Sequence, residues 1–140
     1  MKDDERKKAI QFADDVAFEA SFFEGVVRRD PTYVEAWQFL GECYTRQGAW
    51  RKALKVDLRL ARLCPEAPMV RYNLACSYSL LNKLPEALVA LKAAIDLGFN
   101  DFSWLSQDPD LSNLRSWLEK DSLEKVKAQT KKIIPLEGAE

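Results

Sequence analysis

Any chemistry in this sequence has to come from thiols, hydroxyls, carboxylates or amines, because the chain has no histidine. That removes His-based acid–base catalysis, histidine triads and nearly every zinc or iron site. Cys43, Cys64 and Cys76 lack C-x-x-C spacing and sit inside helical patterns, so they read as buried, reduced thiols. A serine or cysteine nucleophile would have only Lys, Asp or Glu as its base. Acids stand side by side at Asp3-Asp4 and Asp14-Asp15. Neighbours on a helix point about 100° apart and do not converge on one atom, so these pairs read as solvated charge. Gly25, Gly41, Gly48, Gly98 and Gly138 are scattered and form no phosphate-cradling loop. The expectation is a chain without catalytic residues, metal or cofactor.

The elements that could position a binding surface are clearer. At 140 residues and 47% hydrophobic, the chain suits one domain that buries roughly two-thirds of its unfolded surface. Lysines and arginines number 21 against 22 acids, so the basic excess of a nucleic-acid or membrane-surface binder is absent. The segment MKDDERKK has no apolar core of a signal peptide, and no apolar run approaches the ~18 to 20 residues of a membrane span. A cytoplasmic domain is expected, with no nucleic-acid or membrane partner.

In VEAWQFLGECYTRQGAW, residues 34 to 50, Trp37, Leu40, Gly41 and Tyr44 share one helical face. A glycine there costs roughly 1 kcal/mol relative to alanine and implies that another helix presses on the backbone. Shifting the chain by 34 residues pairs Pro31 with Pro65, Leu40 with Leu74, Tyr44 with Tyr78, Ala53 with Ala87, Leu54 with Leu88 and Leu63 with Leu97. Gly41 then meets Ala75, another small residue. The matches fall on apolar stripes and a punctuating proline. Each unit divides into two helices, 34–47 with 50–63 and 68–81 with 85–97, closed by Gly48, Asn82 and Gly98. Pro85 fits a first helical turn. Upstream, Val16, Ala17, Ala20, Phe23, Val26 and Val27 form a packed stripe, and Ile10 and Ala13 continue it without a breaker. One long helix from about residue 4, or a pair turning near Asp14-Asp15, would fit equally.

The series Trp37-x-x-Leu40-Gly41-x-x-Tyr44, then Ala53, then Pro65 resembles the tetratricopeptide repeat with its 34-residue period. The second copy departs at its leading aromatic, where Arg71 stands. The resemblance covers about residues 16 to 120. It implies an all-α fold, an α-α superhelix of antiparallel helix pairs with capping helices. The units would be about 1–33 (degenerate), 34–67 and 68–101, followed by capping helices over 102–134. Gly41 or Ala75 would lie against the second helix of its unit, with Ala53 or Ala87 as the reciprocal contact. Asp108-Pro109-Asp110 reads as an N-cap, a first-turn proline and an acid at the positive helix end. Asp121 with Glu124 reads as a capping box for a last helix over 122–133.

The same resemblance implies a protein-interaction module that takes a peptide segment along the surface lined by each unit's first helix. Those positions are Glu35, Gln38, Glu42, Thr45 and Arg46 in the first unit, and Met69, Tyr72, Cys76, Ser79 and Leu80 in the second. Mixed charge in the first set implies a partner with basic and acidic residues around an apolar anchor. Tyr72 is the expected hot spot, off the stripe of Leu74 and Tyr78 and so removable without unfolding. Phe39 stands where relatives that clamp a C-terminal carboxylate carry asparagine, and no lysine pair accompanies Asn73. The runner-up is a small chaperone for a secreted or assembly-bound client. A helical-repeat RNA reader fits less well, lacking a basic surface. Association between copies stays open. Asp57, in an apolar stripe, and Arg71 are expected to form a charged pair between units.

Overall fold

The computed structural model describes residues 2–120. Over that range the protein is all-α, with no strand among the described residues. The helices are α1 (Lys2–Arg29), α2 (Val34–Arg46), α3 (Trp50–Leu63), α4 (Pro68–Leu80), α5 (Leu84–Asp96) and α6 (Phe102–Leu105). A 3-10 turn, Pro109–Leu111, then leads into α7 over 112–120. No helix among the described residues is long and apolar enough to cross a membrane. The capping box at Asp121 and the helix expected over 122–133 lie outside the described residues.

Residues 2–29 form one helix, which resolves the two alternatives left open upstream. No glycine or proline interrupts the run before Gly25. Asp3, Asp4 and Glu5 sit at its positive end, and Arg28 and Arg29 at its negative end. The acids at positions 14 and 15 mark no turn; Asp15 accepts a hydrogen bond from Gln11 one turn back, at 2.9 Å. Residues 2–15 are exposed on every side, whereas Val16, Ala20 and Val27 are buried.

The punctuation follows from backbone chemistry. Gly48, Asn82 and Gly98 all adopt positive φ, where glycine is unstrained and asparagine is tolerated. Each closes its helix with the same pair of bonds. The amide three residues past the helix end reaches back five residues, as Ala49 N–H does to Tyr44 O at 2.9 Å and Lys83 N–H to Tyr78 O at 2.8 Å. The preceding amide binds the carbonyl three residues back. Pro68 opens α4 and Pro85 stands in the first turn of α5, where a missing N–H is harmless.

Connections of three or four residues return each of α2 to α5 against its predecessor. α2 and α4 begin 34 residues apart, and so do α3 and α5. Close approach depends on small residues: Ala53, Ala75, Ala87 and Ala94 are all buried at helix crossings. A Cβ on Gly41 would come within 3.1 Å of Val56 Cγ1. The partner of Gly41 across the crossing is thus Val56, one turn along α3 from the expected Ala53. A branched residue facing a glycine fills the groove that two alanines would leave open.

The charged pair expected between Asp57 and Arg71 does not form. Asp57 is buried and accepts a hydrogen bond from Ser77 Oγ at 2.5 Å. Arg71 lies beside Leu58, Tyr78 and Val89 instead, its buried Nε without a hydrogen-bond partner among the described residues. Asp57 and Leu58 point about 100° apart, so a one-position error in helical phase exchanged the two neighbours.

Candidate functional site

The face shared by α2 and α4 carries two hollows. The larger, about 550 Å³, opens between α2, α3, α4 and the C-terminal segment. Gln38, Glu42 and Thr45 form one wall and Met69, Tyr72, Cys76 and Leu80 the other, with Trp50 and Trp104 at the margins. The second, about 420 Å³, lies between α1 and α2 and is bounded by Phe18, Phe22, Phe23, Phe39, Cys43 and Arg46. Glu42 borders both, so one continuous surface links them.

Of the ten residues named from sequence, seven line the larger hollow. Glu35 is exposed on α2 but lines neither hollow, and Arg46 belongs to the second. Ser79 is fully buried: its Oγ accepts from Leu114 N–H at 3.2 Å, and its carbonyl accepts from Asn113 at 3.2 Å. Ser79 is therefore a structural anchor for the C-terminal segment, not a surface residue.

Tyr72 also departs from expectation. It is only 3% exposed, and its ring stacks on Phe99 with centroids 4.3 Å apart. Its hydroxyl donates to Asp108 Oδ2 at 2.5 Å. The expectation that Tyr72 could be removed without harm to folding fails on this geometry, because the segment after α5 folds back and covers it. Leu111 and Leu114 enter the core, and Arg115 donates to the carbonyls of Leu105 and Asp108 at 2.9 and 2.7 Å. Asp108 does cap the turn that follows, its Oδ1 accepting from Asp110 N–H at 3.0 Å. Its second oxygen reaches back to α4, a role the capping pattern did not reveal.

What sequence reading missed is aromatic. Phe18, Phe22 and Phe39 are 73%, 58% and 52% exposed, and Phe39 stacks on Phe23 at 5.1 Å. Phe18 and Phe22 are one turn apart on α1, on the side opposite Val16, Ala20 and Val27. Two large rings off the packed stripe were the available signal. Met69 and Trp104 are likewise about half exposed at the other end of the face.

The charges on this face are not mixed in the expected way. Arg46 is held by Glu42 at 2.7 Å and Glu19 at 3.6 Å, so its charge is already answered. Among the described residues, the larger hollow is lined by the acids Glu42, Asp57, Asp108 and Asp110 and by no lysine or arginine. Burial, and then the neighbouring Asp108 charge, push the Asp110 carboxyl above its ordinary range. Cations gather on another face, where Lys52, Lys55, Arg59 and Arg62 of α3 surround Trp37 and Tyr44.

Cys76, Asp108 and Asp110 place potential ligand atoms within 4.8 Å of one another. Asp108 already takes the Tyr72 hydroxyl and the Asp110 amide. Burial, reinforced by Asp108, holds the Cys76 thiol well above the usual thiol range and so protonated. A trio with one uncommitted carboxylate and a protonated thiol is a poor metal set. Cys43 is raised too, by burial and then by Glu19. No disulfide joins the three cysteines. Thiol titration is expected to find three free groups in unfolded protein, with half-buried Cys64 reacting first in the native state. A count of one would refute this.

No protein-family model matches this chain. The chain is similar to a chloroplastic protein of Arabidopsis thaliana, with 43% identity over 58 residues. That match covers 41% of this chain and 17% of the length of the relative.

Proposed function

We propose that this chain is a short tetratricopeptide-like array that binds a segment of another protein along the face shared by α2 and α4, without catalysing a reaction. The 34-residue spacing of its helix starts and the close α2–α3 crossing at Gly41 support the repeat reading. In such an array α2 and α4 would line the concave side. The three unjoined thiols favour a reducing aqueous compartment such as the cytoplasm.

The observation that carries the binding reading is the set of exposed rings. Phe18, Phe22 and Phe39 at one end, and Met69 and Trp104 at the other, are not required by the chain's own core. Their polar border of Gln38, Glu42, Thr45 and Arg46 gives the apolar patch and polar rim of a partner surface. The sequence-based binding set is therefore revised. Glu42, Gln38, Thr45, Met69 and Leu80 stay on the surface, Phe18, Phe22 and Phe39 join it, and Tyr72 becomes wall rather than anchor.

A photoreactive residue placed at Phe39, and in a control at Leu58 on a different face, tests this in extract of the source cell. Discrete protein adducts are expected at position 39, weakened by Phe18→Glu, and none of the same size at position 58. Identical adducts at both positions, or none at 39, would reject the face.

A further inference from the structure

The larger hollow has walls, an opening and a charge of one sign. Among the described residues its charged lining consists of the carboxylates Glu42, Asp57, Asp108 and Asp110, of which Glu42 alone is paired with a cation. Near the C-terminal end, Asp110 is half-buried beside Asp108, and no described residue donates a hydrogen bond to its carboxylate. Beside these carboxylates the wall is apolar and aromatic, with Trp104 and Met69 about half exposed. The geometry points to this hollow as a receptor for one lysine or arginine side chain, carried on an otherwise apolar segment of the partner protein.

The inference rests on reading the face as a partner-binding surface, and adds what the partner must present. A cationic head group seated at Asp110 would relieve the repulsion between Asp108 and Asp110 and supply the missing donors. Its aliphatic stem would lie along Met69 and Trp104, where a ring face also attracts a cation. A peptide carboxylate or a phosphate meets the opposite situation, with no lysine or arginine among the described residues of the lining to receive it. A small metal ion meets a committed Asp108 and a protonated Cys76. The charge on the protein side is thus matched by a long, flexible monovalent cation.

Labelled heptapeptides test this, capped at both ends, leucine-rich, and differing only at a central Lys, Arg, Gln or Glu. Fluorescence anisotropy against the full chain should give the Lys and Arg peptides affinities at least about tenfold above the Gln peptide, with Glu weakest. Raising salt to about 0.5 M should erase most of that difference. Asp110→Asn, which keeps the backbone bond to Asp108, should remove the preference while leaving Gln-peptide binding and the circular dichroism unchanged. Equal affinity for all four peptides, or a preference that survives Asp110→Asn, overturns the cation site but leaves the binding face intact. Calcium, magnesium or zinc bound in a way that Asp110→Asn abolishes, without peptide selectivity, would reassign the hollow to a metal. Loss of the position-39 adducts, by contrast, removes the binding face itself.

Discussion

Tyr72→Ala is expected to destabilise the protein by about 4 kcal/mol, in the range found when a buried aromatic is truncated. Three losses combine. The ring is 3% exposed and stacked on Phe99, so its removal opens a cavity between α4 and the segment after α5. Asp108, itself buried, loses the hydroxyl donor that reaches it from α4. The turn over Pro109–Leu111, which carries Leu111 into the core, is then held chiefly by Ser79 and Arg115. Tyr72→Phe separates these effects: it keeps the stack and should cost about 1.5 to 2 kcal/mol, the worth of a hydrogen bond to a charged group. Urea denaturation followed by circular dichroism measures both. An alanine variant with an unchanged midpoint would mean that the C-terminal segment does not pack on Tyr72.

The same residue shows where sequence reading reached its limit. Helix ends were legible because the signals are local. Gly48, Asn82 and Gly98 mark places where the backbone must adopt positive φ, and Pro68 and Pro85 mark first turns. The four helices read as 34–47, 50–63, 68–81 and 85–97 fall within one residue of those observed. Apolar phase was legible too, since Leu40, Tyr44, Leu74, Ala53 and Ala87 are all buried. The burial of Tyr72 was not legible, because its partner lies 36 residues away. Asp108 satisfied a capping pattern with one oxygen, and nothing local indicated what the other oxygen would do. The Asp57–Arg71 error has a related cause. A helix turns about 100° per residue, so a small error in crossing phase changes the neighbour across an interface. Phe18 and Phe22 were missed for a simpler reason: the stripe that faces α2 accounts for the helix by itself, and the rings sit behind it. Continuity of α1 could not be read, because an uninterrupted charged helix and a helix pair with a polar turn share one composition.

The buried Asp57 makes stability depend on pH in a direction opposite to that of most surface carboxylates. Burial raises its carboxyl from 3.8 to about 6, and the hydrogen bond from Ser77 only partly offsets the rise. Because the folded value lies above the unfolded one, the folded protein holds the proton more tightly. The stabilisation is fully present below about pH 4 and is lost as pH rises through about 6. At neutral pH the ionised carboxylate costs on the order of 3 kcal/mol relative to its protonated form, since each pH unit separating the folded and unfolded values is worth about 1.4 kcal/mol. Asp57→Asn mimics the protonated side chain. Its amide oxygen can accept the Ser77 hydroxyl, and its amide nitrogen faces a hollow that solvent reaches. The variant should therefore match wild type near pH 4 and exceed it by about 1 to 3 kcal/mol at pH 7.5, the lower figure allowing for water in the hollow. Other titrating groups act on both proteins and cancel in the difference. Asp57→Ala is the contrasting variant: it strands the Ser77 hydroxyl and should destabilise the protein across the range. Denaturation midpoints for wild type and Asp57→Asn at half-unit steps of pH decide the matter. Parallel curves between pH 4 and 7.5 would mean that Asp57 ionises in the folded protein as it does in the unfolded chain.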